Sequence, residues 1–433
     1  MAEIRPFCGY RFNLDDPGNL QQFVAPPYDM IDGDMQEILY RKDPHNIIRI
    51  IQNKPEPGDQ VNNDRHQRAA ALLNKWITEN ILLKDSEPSI YVYRQRFSAG
   101  EDNDAVTYER TGIVARVRLV DFKEKIVLPH ENTLSAPKVD RYELLKATHC
   151  NTGQIFGIIQ DEGDFFGSVS KAVTDAPAGS FTDDNVQHTL FRIKDQQTIN
   201  RLVDLASDRI ILIADGHHRY ETALQFAQES GEPAHQFVMM TLVSMADPGL
   251  IIRPFHRSIK KRPSVTGPAM LSKLEEYFEI KEFENSSVDE IITFTGSRDN
   301  HRMAYLDHET RKAYFLSLSP KGEKYLCDNT NGMSYQWNHL DVSIINSLVI
   351  NKILGLPMDG TTLHDVIDYE KDITAAYHKT LDSPDYYGTF FLRPIEIGVV
   401  RDIVAGNERM PQKSTNFFPK FYSGLVLNKL EEA

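Results

Sequence analysis

Residues 209–231 read RIILIADGHHRYETALQFAQESG, and the interpretation of the whole chain starts from this stretch. Arg209–Ala214 is a short apolar run rich in isoleucine, which predicts a buried strand. From His218 onward the apolar residues recur at three- and four-residue spacing, which predicts a helix carrying Tyr220, Ala223, Leu224 and Ala227 on one face. Gly231 follows at the position where a left-handed residue ends a helix. The stretch therefore predicts a strand, a tight turn and a helix.

The predicted turn concentrates polar side chains, namely Asp215, Gly216, His217, His218 and Arg219. Glycine lets the backbone approach a ligand closely, and a helix start offers free N–H groups and a positive dipole end. Arg219 adds a cation with fixed donor geometry. This combination favours an anion, phosphate above all. The alternative is a structural turn with a buried aspartate cap, which accounts less well for so many polar groups in five residues.

The bulk composition describes a globular protein. The 433 residues include 41% hydrophobic and 25% charged residues, so we expect a soluble chain of two or three structural units. The formal net charge of −14 argues against binding nucleic acid over a broad surface, which requires clustered Lys and Arg. A small anion can still bind in a local basic pocket.

The sequence also bears on the cellular compartment. Cys8, Cys150 and Cys327 are far apart and show no CxxC spacing, which predicts neither disulfides nor a cysteine metal site. We find no apolar run of membrane-spanning length, and the N-terminus does not read as a secretory signal. We therefore expect a cytoplasmic protein without a membrane partner.

The pattern of segments predicts a mixed α+β fold. We expect a catalytic core over residues 1–262, a small α+β insertion over 263–335, and a helical and strand-containing C-terminal part over 336–433 that returns to the core. Individual elements are predicted by periodicity and length: strands at Ile47–Ile51 and Phe237–Ser244, and helices at 64–83, Gln196–Ser207, 365–378 and from Pro394 onward.

Two further stretches combine chemistry with a stiff backbone. In VAPPYDMI (Val24–Ile31), two prolines force an extended chain into a rigid turn that can aim Tyr28 and Asp29, although a plain structural corner explains it equally well. In LPHENTLSAPKVDRYELLK (128–146), the braced loop carries a carboxylate, an imidazole and two cations: Glu131, His130, Lys138 and Arg141. Such a loop can position a nucleophile and neutralise an anion, although opposite charges in a loop often just face solvent.

A third stretch, RMPQKSTNFFPK (Arg409–Lys420), places Lys413, Ser414 and Thr415 between two prolines. A lysine followed by two hydroxyl residues suits phosphate, as in P-loops. The GxxxxG lead of a P-loop is absent, so the stretch is a weak signal by itself.

Taken together, the strings VAPPYD, HENT with PK and DR, ADGHHRYETAL, and MPQKST with FFPK resemble a widespread prokaryotic family catalogued as domain of unknown function 1015. The resemblance covers nearly the whole chain in the right order. The DGHHR turn is also similar to the DGHxR turn of the ParB/sulfiredoxin-like free-serine kinases. This resemblance implies a ParB/sulfiredoxin-like core and an enzyme that phosphorylates free L-serine to O-phosphoserine, with ATP or ADP as donor and Mg²⁺ on the nucleotide.

Residue roles follow from that resemblance as expectations. Asp215, Gly216, His217, His218 and Arg219 match the phosphate-binding turn, with Asp215 also a candidate Mg²⁺ ligand. The catalytic glutamate cannot be aligned; Glu131 is our choice, and His130 and Asp29 are the fallbacks. Further nucleotide contacts are expected from Lys138, Arg141, Lys413, Ser414 and Thr415, and substrate contacts from Tyr28 and Asp29. The expected partners are a nucleotide and an amino acid, and a homodimer stays open.

Other functions remain open at this point. The same anion pocket could serve a nucleotide or phosphate hydrolase with water as acceptor, or a ParB-like nucleotide-binding module without catalysis. A metal hydrolase built on His217 and His218 is a weaker option, because adjacent residues point in different directions and rarely bind one ion.

Overall fold

The computed structural model describes residues 1–433 except residues 60–63, 100–105, 132–135, 174–175, 263–269, 297–301, 331, 359 and 432–433. Part of the HENT string therefore lies outside the described residues. The chain divides into two compact units. Unit 1 comprises Met1–Pro129, Thr133–Ile251 and Phe417–Ala433, and unit 2 comprises His130–Asn132 and Ile252–Asn416. The predicted three-part division at 262 and 335 stays a prediction.

Strands are distributed along the whole described chain. In order they are β1 Ile4–Arg5, β2 Tyr10–Phe12, β3 Leu82–Lys84, β4 Ile90–Ala99, β5 Val106–Arg118, β6 Val127–Pro129, β7 Cys150–Asn151, β8 Ile155–Ile159, β9 Gly179–Asp183, β10 Val186–Ile193, β11 Ile211–Asp215, β12 Phe237–Ser244, β13 Ile251–Arg253, β14 His256–Lys260, β15 Phe278–Glu282, β16 Arg302–Asp307, β17 Ala313–Leu318, β18 Ile367–Glu370, β19 Tyr386–Phe391, β20 Asn416–Phe418 and β21 Asn428–Lys429.

Helices alternate with these strands. The α-helices are α1 Gly33–Lys42, α2 Ile48–Ile51, α3 Asp64–Thr78, α4 Ala136–Thr148, α5 Asp164–Ala172, α6 Gln196–Ser207, α7 His217–Ser230, α8 Met270–Leu274, α9 Val288–Gly296, α10 Pro320–Asn329, α11 Tyr335–Asn338, α12 Asp341–Ile344, α13 Gly360–Val366, α14 Ile373–Asp382 and α15 Ile397–Ala405. Short 3₁₀ segments lie at Pro17–Gln22, Tyr28–Met30, Phe122–Glu124 and Pro233–Gln236, and a π-helix spans Ile345–Ile353.

Unit 1 is built on a large mixed sheet. Its strand order is β6-β11-β8-β12-β5-β4-β10-β9, and β1 pairs with β5. The pairs β6–β11 and β8–β12 are parallel, and the neighbouring pairs are antiparallel. Strand β12 is buried along its whole length, as the unbroken apolar run FVMMTLVS requires for a strand covered on both faces. The mixed α+β fold predicted from the sequence is confirmed.

Helices α6 and α7 contribute to the apolar core of unit 1. Helix α6 begins where the side chain of Asp195 caps the N–H of Thr198, and it buries Ile199 and Leu202. Helix α7 directs Tyr220 into the same core. Since β11 lies between β6 and β8, the strand that leads into α7 is an interior strand, and its last residue has a fixed position.

Unit 2 carries an antiparallel sheet in the order β15-β17-β16-β19-β14-β18. A small apolar core around Phe283 and Phe391 packs against this sheet. The region 263–335, predicted to contain both helices and strands, includes α8, α9 and α10 together with β15, β16 and β17 among its described residues.

Several predicted elements are confirmed and others are wrong. The helix Gln196–Ser207 and the strand Phe237–Ser244 have the predicted boundaries. The predicted strand Ile47–Ile51 is wrong, because Ile48–Ile51 forms helix α2. The predicted helix 64–83 ends earlier, at Thr78.

Two errors lie in the C-terminal half. The predicted helix 365–378 is interrupted by strand β18, which pairs with β14 and so takes its conformation from a distant partner. The helix predicted to open at Pro394 begins instead at Ile397, after an extended Glu396 at its N-cap.

Candidate functional site

The turn between β11 and α7 forms as the sequence predicts. Strand β11 ends at Asp215, Gly216 takes a left-handed φ of 91°, and α7 begins at His217. A Cβ atom added to Gly216 would lie 2.9 Å from Nη2 of Arg219. Both the backbone angle and the close approach of Arg219 therefore favour glycine at this position.

Asp215 joins two cations at this turn. Its Oδ2 lies 2.9 Å from Nη2 of Arg219, and its Oδ1 lies 3.0 Å from Nζ of Lys420. Burial alone would raise the pKa of Asp215, but the charges of Lys420 and Arg219 more than offset it and hold the pKa well below its usual range. Asp215 therefore stays ionised and fixes both cations at the start of α7.

Arg219 keeps one donor unused. Its Nη1 donates to the carbonyl oxygen of Gln154 at 2.5 Å, and its Nη2 donates to Asp215. Its Nε is buried and has no hydrogen-bond partner among the residues that the structure describes. Leaving a buried donor unpaired costs on the order of 1–3 kcal/mol. An anion bound at the N-terminus of α7 would satisfy this donor and meet the positive end of the helix dipole.

Tyr28 and Arg141 lie beside the same turn. The guanidinium carbon of Arg141 is 4.1 Å from the centre of the Tyr28 ring. Burial raises the pKa of Tyr28, and the nearby charges of Arg141 and Arg219 oppose that rise. Arg141 and Arg219 also line one small cavity of about 50 Å³. Tyr28, Arg141, Arg219 and Asp215 are thus brought together within unit 1, whereas Asp29 is exposed.

The remaining candidates of unit 1 lie on or against α7. His217 and His218 are its first two residues and are half-buried, and His217 is close enough to help lower the pKa of Asp215. Lys138 in α4 reaches α7 one turn further on, where its Nζ lies 2.6 Å from Oε2 of Glu221. The ion pair ties the two helices together beside the turn.

The other predicted residues form a second cluster, within unit 2. The Oε1 atom of Glu131 accepts hydrogen bonds from the N–H groups of Ser414 and Thr415 at 3.1 and 3.0 Å. Its Oε2 accepts one from the N–H of Lys413 at 3.1 Å. Lys413 has a left-handed φ of 56°, which turns three successive N–H groups toward one carboxylate. His130 completes the cluster, since its Nε2 lies 2.7 Å from Oγ1 of Thr415.

Lys420 is a site residue to which sequence reasoning assigned no role. Buried polar side chains hold the backbone around Lys420 in place. Gln95 donates to the carbonyl oxygen of Lys420 at 2.9 Å. Arg110 donates to the carbonyl oxygen of Phe418 at 3.0 Å and also to the carbonyl oxygen of Pro419. Arg110 is fully buried. The FFPK string includes this lysine, so the sequence contained the residue. Its contact with Asp215 depends on the hydrogen bonds from Gln95 and Arg110, which lie far away in the sequence.

Metal ligands do not cluster in the part of the chain that the structure describes, where no group of three or more His, Cys, Asp or Glu side chains could hold an ion. Among the described residues, His217 and His218 therefore do not belong to a group of three or more such side chains that could hold the ion of a metal hydrolase. Each oxygen of Asp215 already contacts a cation, at 2.9 and 3.0 Å. A Mg²⁺ ion bound directly to Asp215 would share the carboxylate with Arg219 and Lys420.

The described helices are also too short or too polar to cross a lipid bilayer.

Comparison with known proteins gives a family and several similar structures. A family model described as "Protein of unknown function (DUF1015)" matches residues 4–343. Among curated proteins none matches the chain.

Three solved structures illustrate the structural likeness. A free serine kinase in complex with AMP is 12% identical, with 72% of this chain and 92% of that chain covered at a TM-score of 0.35. A conserved hypothetical protein from Pyrococcus furiosus is 14% identical, with 74% and 96% covered and a TM-score of 0.35. SbnI with a C-terminal truncation, from Staphylococcus aureus, is 10% identical, with 71% and 84% covered and a TM-score of 0.36.

Proposed function

The chain belongs to the DUF1015 family, and on this premise we propose that it transfers a phosphoryl group from ATP or ADP to the hydroxyl of free L-serine. The proposal takes its substrate from the resemblance of the DGHHR turn to that of the free-serine kinases. It takes its physical support from the turn itself. Phosphoryl transfer needs positioning and charge neutralisation more than covalent chemistry, and the turn offers both.

One observation carries the proposal: a buried guanidinium donor without a partner, at the N-terminus of a fourteen-residue helix, beside a second fixed cation. The donor is Nε of Arg219, and the second cation is the Nζ of Lys420. Asp215 holds both cations in place before any ligand arrives, so little reorganisation is needed when the anion binds. A nucleotide phosphate has the charge and the acceptor oxygens that this arrangement lacks.

The two cation contacts of Asp215 support an orienting role for this residue. Its Oδ2 lies 2.9 Å from Nη2 of Arg219, and its Oδ1 lies 3.0 Å from Nζ of Lys420. We therefore assign Asp215 to orienting Arg219 and Lys420, and look elsewhere for the general base.

Glu131 remains our proposed base, with His130 and Asp29 as fallbacks. In the proposed step the serine oxygen forms a bond to the terminal phosphorus of the donor, its proton passes to the base, and the bond between that phosphorus and the leaving nucleotide oxygen breaks. Glu131 already accepts N–H groups from Lys413, Ser414 and Thr415. Those bonds fix the orientation of the carboxylate.

Mg²⁺ would reach the site on the nucleotide. When bound, it supplies charge neutralisation at the phosphate oxygens. We assign the protein's own share of the neutralisation to Arg219, Lys420, Arg141 and Lys138, with Asp215 as the candidate Mg²⁺ ligand. The nucleotide donor and the free cysteines fit the cytoplasm as the compartment.

The direct test is to incubate the purified protein with Mg²⁺, either ATP or ADP, and a panel of hydroxyl amino acids, and to detect the phosphorylated product by ³¹P NMR and mass spectrometry. We expect O-phosphoserine in reactions containing L-serine, and none with Arg219→Ala protein. Phosphate release without any amino acid would favour the hydrolase instead. Nucleotide binding without turnover would favour a binding module.

A further inference from the structure

A second cavity in unit 1 adjoins the turn and is lined by polar side chains. It has a volume of about 100 Å³, and its walls include Tyr28, Gln52, Arg65, Asp140 and Arg141. Pockets for drug-sized ligands measure about 300–1,000 Å³. The cavity is therefore too small for a nucleotide and suits a molecule of a few heavy atoms.

The charges in this cavity favour a carboxylate. Two guanidinium groups, Arg65 and Arg141, share the single carboxylate of Asp140. His66 also approaches that carboxylate, with its Nε2 at 3.0 Å from Oδ1. Burial would raise the pKa of Asp140, but hydrogen bonding from His66 and the charge of Arg141 hold it well below the usual range. Asp140 is therefore ionised, and the two guanidinium groups leave an excess of one positive charge.

The cavity wall also contains an acceptor without a donor. Oε1 of Gln52 is buried and, within the described part of the chain, has no hydrogen-bond partner. The orientation of the amide is fixed, because Nε2 donates to the carbonyl oxygen of Ile31 at 3.4 Å, and the flipped amide would oppose two oxygens. Buried polar atoms are satisfied in the great majority of cases, so this oxygen calls for a donor from a ligand or a water molecule.

Arg141 connects this cavity to the phosphate turn. Its Nε lies 2.8 Å from Oδ2 of Asp140, its Nη1 donates to the carbonyl oxygen of Ile51 at 2.9 Å, and its side chain also lines the small cavity that contains Arg219. A small molecule held against Arg141 would therefore lie next to the turn that we assign to the transferable phosphate.

We infer that this cavity binds the carboxylate and ammonium groups of the acceptor amino acid, the carboxylate at Arg65 and Arg141 and the ammonium at Oε1 of Gln52. The inference rests on the proposed function, which requires the hydroxyl of the bound amino acid to point toward the transferable phosphate. It deepens that function by assigning the acceptor a site separate from the nucleotide.

The test uses the full-length protein and three small probes: L-serine, ethanolamine, which lacks the carboxylate, and 3-hydroxypropionate, which lacks the ammonium group. Binding is measured by calorimetry with and without ADP. We expect L-serine to bind at least about 10-fold more tightly than either analogue, since each analogue leaves charged or buried groups unpaired.

Variants then locate the site. Arg65→Met should weaken L-serine binding about 10- to 100-fold and leave ADP binding unchanged, and Gln52→Leu should weaken L-serine binding in the same direction. Arg209→Met is the matched control, because Arg209 is likewise an arginine paired with aspartate, here Asp161 and Asp164, but lines a different cavity. Circular dichroism verifies that each variant is folded.

The outcomes separate this inference from the proposed function. L-serine binding that is unchanged in both Arg65→Met and Gln52→Leu proteins, or absent with and without ADP, overturns the cavity assignment. If L-serine binds through Arg65 but is never phosphorylated, the cavity assignment is supported and the proposed kinase activity is rejected. If Arg65→Met protein phosphorylates serine with an unchanged KM for serine, the kinase activity is supported and the cavity assignment is rejected.

Discussion

Nζ of Lys420 lies 3.0 Å from Oδ1 of Asp215, although 205 residues separate the two along the chain. The pair brings a cation from the C-terminal segment to the start of α7. It also makes the charge balance of the turn depend on a residue far outside the DGHHR motif, the lysine of the FFPK string. The predictions below begin with this contact.

Lys420→Met should lower turnover by about 100-fold or more, because removing one preorganised charge contact to a phosphoryl group costs on the order of 2.7–4 kcal/mol in the transition state. Lys420→Arg should recover part of the loss, since it keeps the charge. Steady-state kinetics with ATP or ADP and L-serine provide the measurement. Lys429→Met in the same segment is the control, because Lys429 pairs with Glu431 instead. Full activity in Lys420→Met protein would contradict the role of this cation.

Arg219→Ala should abolish turnover while the protein stays folded. The substitution removes the buried unpaired Nε donor and the bond to the carbonyl oxygen of Gln154. Product formation by ³¹P NMR and a thermal melt give the two readouts. Folded Arg219→Ala protein with wild-type turnover would refute the assignment.

Glu131→Gln should lower turnover by about 100- to 10,000-fold, the range for loss of a general base, with nucleotide affinity preserved. Glu408→Gln is the matched control in unit 2, since Glu408 also accepts a backbone N–H, that of Ser334, at 2.6 Å. Measured kcat and nucleotide binding decide the outcome. An active Glu131→Gln protein would shift the base to His130 or Asp29.

Arg110→Met should destabilise unit 1 by roughly 2–4 kcal/mol, because it leaves the carbonyl oxygens of Phe418 and Pro419 buried without their donor. Burial lowers the pKa of Arg110 to about 10, so the native side chain is still charged at neutral pH. Denaturant unfolding measures the stability. Turnover should also fall, since the segment that carries Lys420 loses its anchor; equal stability of the two proteins would rule out the anchoring role.

Asp247 should make the free energy of unfolding depend on pH between about 4 and 6. Burial raises its pKa to about 6, although the N–H groups of Thr111 and Gly249 oppose the rise. The folded protein therefore holds a proton that the unfolded chain, with an aspartate pKa of about 3.9, has released. Stability from this group is present below pH 4 and is lost as pH rises through 6, by on the order of 1–3 kcal/mol.

The check on Asp247 has two parts. The ¹³C shift of its carboxyl carbon should titrate near pH 6 in the folded protein. The difference in unfolding free energy between wild type and Asp247→Asn should change between pH 4 and 6.5. A carboxyl that titrates near pH 4 would contradict the prediction.

Sequence reasoning worked best where local pattern and tertiary position agree. The boundaries of α6 and β12 were predictable because an N-cap at Asp195 and an unbroken apolar run define them locally. The turn at Gly216 was predictable for the same reason. Its conformation follows from a glycine between an apolar strand and an amphipathic helix.

The wrong predictions concern segments whose conformation depends on a contact with another part of the chain. The run IIRII suits a strand or a helix equally, and the side chain of Asn46, which accepts the N–H of Ile48 at 3.0 Å, favours the helix. The strand inside the predicted helix 365–378 exists because it pairs with β14. Lys420 could be found in the FFPK string, but its partner Asp215 could not, because the Arg110 network that directs it is a tertiary feature.

Because Phe417–Ala433 completes unit 1, protein synthesis constrains when the turn at Gly216 can acquire all of its contacts. At a translation rate of about 5–20 residues per second, the ribosome needs roughly 10–40 s after making Asp215 to reach Lys420. During that interval the lysine counter-ion of Asp215 does not yet exist, and Ile252–Asn416, the larger segment of unit 2, is synthesised in between. Asp215 can therefore pair with Arg219 early in synthesis, but its second ion pair, with Lys420, forms only once the last segment of unit 1 has been made.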